Sequence, residues 1–282
     1  MDNVSHTHHF TSHHIAERIM DLELRGKKVL ITGGSKGIGL GCAQVFAAEG
    51  ARVQIASRSQ PDLKAAADAI AKKYNTEVAI HPMDLGKTEN AVALGKACGD
   101  VDILVNNAGA IPAGGLLDVS DEKWRHAWDL KVFGFITLSR EIYRRMCERQ
   151  SGVIINVIGV AGEHHRSNYI AGTTGNAALM AFTRALGAES VDHGIRAVGV
   201  NPGRIETERQ ILRMKEQAIK EFNDVSRWPE IQAKVAAALP FKRAGRPEEV
   251  GDLVAYLASA RASYISGTII TIDCGASLRP RT

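Results

Sequence analysis

The eight residues Thr32-Gly33-Gly34-Ser35-Lys36-Gly37-Ile38-Gly39 combine glycines that let backbone N–H groups come close to a ligand with a hydroxyl and a cation. An apolar run leads into them and an amphipathic stretch follows. A pyrophosphate placed here would therefore meet the free N–H groups at a helix N-terminus. A glycine loop alone can be no more than a tight turn, and it is the flanking strand and helix signals that point to a dinucleotide. At the end of the next apolar run, where a ribose-binding carboxylate would mark NAD(H), the chain reads Ile55-Ala56-Ser57-Arg58. With no acid there, Arg58 and Lys36 suit a 2′-phosphate, so NADP(H) is favoured and NAD(H) remains possible.

These residues need elements to hold them. Strand-length apolar runs occur at Val29–Thr32, Val53–Ala56, Val78–His81, Ile103–Asn106, Val153–Val157, Ile195–Val200 and Thr268–Ile272. Helix-length amphipathic stretches lie between them, most clearly Gly37–Glu49, Leu63–Tyr74, Asp121–Arg149, Ala177–Asp192 and Pro247–Ala258. The alternation predicts an α/β fold, a Rossmann-type doubly wound parallel sheet buried on both faces. No Pro/Gly/Ser-rich linker divides it, so residues 25–282 are expected to form one domain. Two segments break the pattern. Residues 1–24 carry His6, His8, His9, His13 and His14 without a cysteine or carboxylate set at ligand spacing, so a mobile polar tail is expected rather than a metal site. Residues 204–239 form a charged helical insertion with Glu206, Arg209, Arg213 and Trp228, expected as a lid over a substrate.

Composition excludes several classes. In 282 residues, 35 lysines and arginines stand against 31 acids, with no basic stripe interleaved with aromatics, so no nucleic-acid partner is expected. The longest apolar runs, such as Val153–Ile158, fall far short of the ~20 residues of a spanning helix, so no membrane span is expected. Cys42, Cys98, Cys147 and Cys274 are scattered, which suggests neither a zinc site nor a disulfide framework and fits a cytoplasmic location. The N-terminal residues lack the apolar core of a secretory signal.

Six motifs in order resemble the short-chain dehydrogenase/reductase family, over about Gly26 to Leu278. They are the glycine loop, Asp84-Leu85, Asn106-Asn107-Ala108-Gly109, Asn201-Pro202-Gly203 with Thr207, Arg246-Pro247-Glu248-Glu249-Val250 and Tyr264-Ile265-Ser266-Gly267. The resemblance implies a nicotinamide cofactor across the C-terminal edge of the sheet, a small-molecule substrate and a homo-oligomer, dimer or tetramer. It implies that Gly33, Ser35, Lys36, Gly37, Ile38 and Gly39 cradle phosphate, and that Ser57 and Arg58 meet the ribose. Asp84 and Leu85 would meet the adenine, with Asn107, Ala108, Gly109, Pro202, Gly203, Ile205 and Thr207 toward the nicotinamide.

The family's usual Asn, Ser, Tyr and Lys active site is absent from its usual positions. The gap-free match places Lys131 at the asparagine, Gly159 at the serine, Gly172 at the tyrosine and Asn176 at the lysine. A competing match makes Tyr169 the tyrosine and Thr173 the lysine replacement, but needs three extra residues before Phe182. Even without a gap, Tyr169 lies one turn upstream of Gly172 and its phenol can reach the space left by two glycines. Lys131 sits among Val132, Phe133 and Phe135, which read as a buried helix face. It either snorkels to water or a carboxylate, or its cation acts from the opposite side, lowering the Tyr169 pKa or stabilising an oxyanion. Lys131, Tyr169 and Asn176 are the candidate catalytic residues, with His164, His165 and Asn168 nearby. The leading reading is an atypical NADP(H)-dependent oxidoreductase acting between an alcohol and a carbonyl. The alternatives are a catalytically silent nucleotide-binding sensor or partner subunit, and a lyase or isomerase reusing the pocket.

The assignment of Arg58 to the 2′-phosphate is tested by Arg58→Ala. Loss of a charged hydrogen bond should weaken NADP(H) binding about 10- to 100-fold while sparing NAD(H). Equal affinities of the parent protein for the two cofactors would end the assignment.

Overall fold

Side chains alternate across each strand, so one sheet feeds two cores. The computed structural model describes residues 21–279. In β1 (Lys28–Thr32), Val29 and Ile31 pack into one core and Leu30 into the other. β4 (Ile103–Asn106) and β5 (Gly152–Val157) repeat this, Ile103, Val105, Ile155 and Val157 facing one way and Leu104 and Ile154 the other. With β2 (Arg52–Ser57), β3 (Val78–Pro82), β6 (Ile195–Pro202) and β7 (Ile269–Ile272), they make a seven-stranded sheet, every pair parallel, in the order β3-β2-β1-β4-β5-β6-β7. The expected doubly wound sheet is therefore present, each predicted strand matching within two residues at either end.

Helices cover both faces. α1 (Gly37–Ala48), α2 (Gln60–Tyr74) and α9 (Pro247–Ala258) supply Phe46, Leu63, Ile70 and Val254 to the first core. α3 (Thr88–Ala97) and α5 (Gly134–Arg149) supply Leu94, Leu138, Ile142 and Met146 to the second, and α6 (Ile170–Glu189) lies beside β6. α3 is short and buries only Ala91, Leu94 and Gly95, too little periodicity to register as a helix in the sequence. α6 starts seven residues before its predicted beginning, because tertiary packing overrides the low helix propensity of Gly172 and Gly175.

The predicted helix over Asp121–Arg149 is unbroken but does not keep one pitch. α4 (Asp121–Trp128) passes into a π-helical turn, Asp129–Phe133, before α5 begins. The wider turn changes the angular step between side chains. As a result Phe133, expected inside, is 52% exposed, while Lys131, Val132 and Phe135 are buried. In the 204–239 insertion, α7 (Glu208–Phe222) and α8 (Trp228–Ala238) form a small core of their own from Met214, Ala218 and Ile231, against which Trp228 packs. The five N-terminal histidines lie outside the described residues. No helix among the described residues is long and apolar enough to cross a membrane.

α1 and α9 cross at two glycines. A Cβ at Gly41 would stand 2.6 Å from the Pro247 carbonyl carbon, and one at Gly251 would stand 2.9 Å from the Gly41 oxygen. Backbone on both sides leaves nothing to move aside. Gly41→Val should therefore lower the unfolding free energy by about 1–3 kcal/mol, as overpacking does, read as an earlier midpoint in urea. An unchanged midpoint would show that the two helices separate freely.

Candidate active site

Strand order reverses at β1, because the chain leaves β1 toward β2 and re-enters on the other side at β4. Such a switch point opens a crevice at the C-terminal ends of the two strands. Here it is a cleft of about 800 Å³, lined by residues from the ends of β1, β2, β4, β5 and β6 and by α7.

The two lips of the crevice are tied together. The Thr32 hydroxyl accepts from the N–H groups of Asn107 (2.9 Å) and Ala108 (3.0 Å), and the Asn107 amide donates back to the Thr32 carbonyl (3.0 Å). Gly33 turns between them at φ +67°, a conformation that favours glycine. Deeper, the Asn106 amide donates to Ser139 Oγ and Asn156 Oδ1, both at 2.9 Å, and Asn156 donates to Thr183 Oγ1. This buried chain of hydrogen bonds joins β4 and β5 to α5 and α6 immediately beneath the site.

The cleft is lined by Gly33, Ser35, Lys36, Gly37, Ile38, Ser57, Arg58, Leu85, Asn107, Ala108, Gly109, Pro202, Gly203, Ile205 and Thr207. Two residues expected to bind cofactor are elsewhere. Gly39 lies under the loop, where a Cβ would collide with the Gly33 carbonyl. Asp84, not among the cleft-lining residues, accepts from the Gly86 N–H (3.1 Å). Lys36 is not a free cation: it pairs with Asp62 (3.0 Å) and Glu208 (3.6 Å), and the Asp62 hydrogen bond raises its pKa. Arg58 has no ion pair among the described residues. Ser57 Oγ is buried without a hydrogen-bond partner among the described residues, an unmet polar group at the ribose end of the cleft.

At the other end, the π turn aims Lys131 inward. Its Nζ donates to the carbonyls of Ile158 (3.0 Å) and Val157 (3.2 Å) and lies 5.3 Å from the Phe135 ring centroid. It does not snorkel, and it meets no carboxylate among the described residues. Burial first, then the Arg209 charge, pushes its pKa down from 10.5 to about 7. Glycine at 109 makes the path possible, since a Cβ there would stand 2.5 Å from Lys131 Cδ. Gly159, at φ +123°, lets β5 end in a backbone turn unfavourable for the serine the family resemblance expects.

Tyr169 caps the start of α6, and its chain is tied to Gly114 by Gly114 N to Asn168 O (2.8 Å) and Ile170 N to Gly114 O (3.2 Å). Its ring lies where a side chain at 172 would begin, so the glycine there makes room for the phenol. Trp128 Nε1 donates to the Ala171 carbonyl (3.0 Å), which couples the Lys131 turn to the Tyr169 segment. Burial raises the Tyr169 pKa, and the cations opposing that rise are Arg213, Arg209 and Arg166. Lys131, expected to lower it, is not among those cations. Asn176 donates to the Gly159 carbonyl (3.2 Å), and its buried Oδ1 has no partner. Asn176 lines the cleft, whereas Thr173, the alternative lysine replacement, hydrogen-bonds the Arg166 backbone.

Of the insertion residues, Arg209 and Arg213 line the cleft, and Arg209 donates to the Gly109 carbonyl (2.8 Å). Glu206 is engaged with Gln232 instead, and Trp228 is committed to the small core. Asn168 lines the cleft, but neither His164 nor His165 does. Arg166 and Arg204, not singled out in the sequence, also line it. Arg204 follows the Pro202-Gly203 turn directly, and Arg209 and Arg213 are four apart on one helix, which were available signals. Nothing local marks Arg166.

The family model described as Enoyl-(Acyl carrier protein) reductase matches residues 33–277. An uncharacterized oxidoreductase of Thermotoga maritima is 33% identical over 261 residues, covering 91% of this chain and 99% of that one. Oxidoreductase UcpA of Salmonella typhimurium is 34% identical, covering 91% and 96%. Among solved structures, L-sorbose reductase from Gluconobacter frateurii, complexed with NADPH and L-sorbose, superposes with a TM-score of 0.87 at 32% identity, covering 93% of this chain and 100% of that one.

The shifted lysine has a thermodynamic signature. Below about pH 7 the amine is protonated in both folded and unfolded chains and adds no slope. Between about 7 and 10.5 the unfolded chain holds a proton that the folded chain has released, so folding stability rises with pH. The parent should gain up to about 1.4 kcal/mol per pH unit there relative to Lys131→Met, in urea unfolding. A difference that stays flat across that range would mean an unshifted amine.

Proposed function

The chain belongs to the short-chain dehydrogenase/reductase family, and from that premise we propose that it moves hydride between NADP(H) and an alcohol or carbonyl substrate, with Lys131 as the proton carrier. The observation that carries this reading is a buried amine, paired with no carboxylate among the described residues, on the wall of a dinucleotide cleft, where burial pushes its pKa down to about 7.

The residues present fit the cofactor. The glycine loop and the start of α1 offer backbone donors to a pyrophosphate. The unmet Ser57 hydroxyl and the unpaired Arg58 suit a phosphorylated ribose, and NADPH is the cofactor in the complex of the 32%-identical L-sorbose reductase. When bound, NADPH supplies the hydride, a hydrogen nucleus with two electrons, to a carbonyl carbon.

The chain's own part is the proton. As the carbonyl's π pair moves onto oxygen, the Lys131 ammonium donates a proton to that oxygen and becomes a neutral amine. In oxidation the neutral amine takes the proton from the hydroxyl. A group that titrates near working pH serves both directions. Carbonyls of Val157 and Ile158 hold Nζ in place, and they accept from the ammonium and the amine alike. The Tyr169 hydroxyl, kept protonated by its raised pKa, donates a hydrogen bond that orients the substrate oxygen. Asn176 Oδ1 accepts from a substrate hydroxyl or a water. The helices α7 and α8 act as a lid, bringing Arg209 and Arg213 over the reacting end.

The sign of the pH dependence tests the assignment. Reduction needs the ammonium, so kcat/KM for carbonyl reduction should fall about tenfold per pH unit above about 7, whereas alcohol oxidation, which needs the neutral amine, should rise up to about 7 and level off above it. Lys131→Met should lower turnover about 10²- to 10⁴-fold and flatten both profiles, followed by nicotinamide absorbance. A variant with parental turnover would remove Lys131 from the chemistry.

A further inference from the structure

The charges in the cleft are unevenly matched. Its two acids, Asp62 and Glu208, both pair with Lys36 at the ribose end. Toward Tyr169, the cleft is lined by Arg166, Arg204, Arg209 and Arg213, none of which has a carboxylate partner among the described residues. They come from three separate places, the segment before α6, the turn after β6 and one face of α7, so their convergence comes from the fold and not from a local charge run. Desolvation first, then Arg166 and Arg213, lowers the Arg204 pKa, and desolvation followed by Arg213 lowers that of Arg209. Holding like charges together in this way costs free energy that an anion between them would recover.

The cofactor's phosphates do not account for the whole set. A second cavity, of about 320 Å³, shares Ala110, Ile111, Arg209 and Arg213 with the cleft and adds Lys123 and His126. It contains no residue of the glycine loop and no acidic side chain. The cationic lining thus continues beyond the reacting end, away from the phosphate cradle.

We propose that the substrate is a carbonyl or alcohol compound bearing an anionic group, a carboxylate or a phosphate, which Arg166, Arg204 and Arg213 hold while Tyr169 and Lys131 address its oxygen. This rests on the oxidoreductase reading and narrows it to a substrate class. Guanidinium groups can fork onto either anion, which suits arginine better than lysine at such a position. Arg209, already donating to the Gly109 carbonyl, stands at the border between cofactor and substrate.

The test uses matched probes on the full chain saturated with NADPH. Calorimetry compares levulinate with methyl levulinate, and hydroxyacetone phosphate with hydroxyacetone. At least one anionic member should bind about 10- to 100-fold more tightly than its neutral counterpart, the range for a charged hydrogen bond. The pair that discriminates identifies carboxylate or phosphate. The preference should shrink with added salt and fall several-fold in Arg166→Gln and in Arg213→Gln, each checked for retained NADPH binding. Equal or reversed preference in both pairs, no binding by either anionic probe, or a preference that survives both substitutions would overturn the proposal. NADPH oxidation recorded on the same samples separates the two readings. Anion preference without oxidation upholds the anionic site and defeats the redox assignment, while oxidation of neutral probes without anion preference does the reverse.

Discussion

An amine buried with no carboxylate partner among the described residues sets the electrostatics at one end of the cleft. Lys131 is 9% exposed, and among the described residues its favourable polar contacts are two carbonyl oxygens at the end of β5 and a phenyl ring, with the Arg209 charge opposing its own. Carbonyl dipoles compensate a charge less than a counter-ion does, so burial decides the outcome and the amine gives up its proton readily. Neighbouring features are explained by accommodating it. The π turn aims the side chain, Gly109 leaves room for its stem, and the ring of Phe135 closes the far side. A helix of regular pitch would present a different residue here.

The same constraint underlies the proposal that Lys131 carries the proton. Proton chemistry needs a group whose pKa lies near working pH, held within reach of the substrate oxygen. A tyrosine lowered by a neighbouring lysine is one solution, and a lysine lowered by burial is another. Here the phenol is driven the other way, up, which suits a hydrogen-bond donor more than a base. Gly159 and Gly172 then read as consequences. One ends β5 in a turn of positive φ, and the other opens the volume that the Tyr169 ring fills.

Electrostatics divides the cleft into two regions. At the ribose end, Lys36 is shared by Asp62 and Glu208, which ties α1's leading loop to α2 and α7. The ion pairs are exposed and individually weak, so a bound phosphate can compete for Lys36. At the reacting end the arginines have no such partners. A protein that needed only to hold its fold would gain from a carboxylate among them. α7 brings two of them, and its underside is held by a small apolar core shared with α8.

Much of the architecture was legible in the chain. Alternating apolar runs dictate a sheet buried on both faces, because a strand has a period of two and each face must be covered. The glycine loop, set between a strand and a helix, dictates where phosphate can approach, since only backbone without a Cβ allows it. On the gap-free match, the residue types at 131, 159, 172 and 176 differ from the family's usual four, a reading of residue identity that needs no coordinates. The tertiary fold alone decided how the replacements are used. Periodicity assumes a regular helix, so it could place Lys131 on a buried face but could neither anticipate the π turn nor put Phe133 outside. A side chain's pKa depends on what surrounds it in three dimensions, and the carbonyls beside Lys131 come from residues 26 and 27 positions away. The arginines that gather around Tyr169 are likewise scattered along the chain, and only the packing of α6, β6 and α7 brings their charges within range of one another.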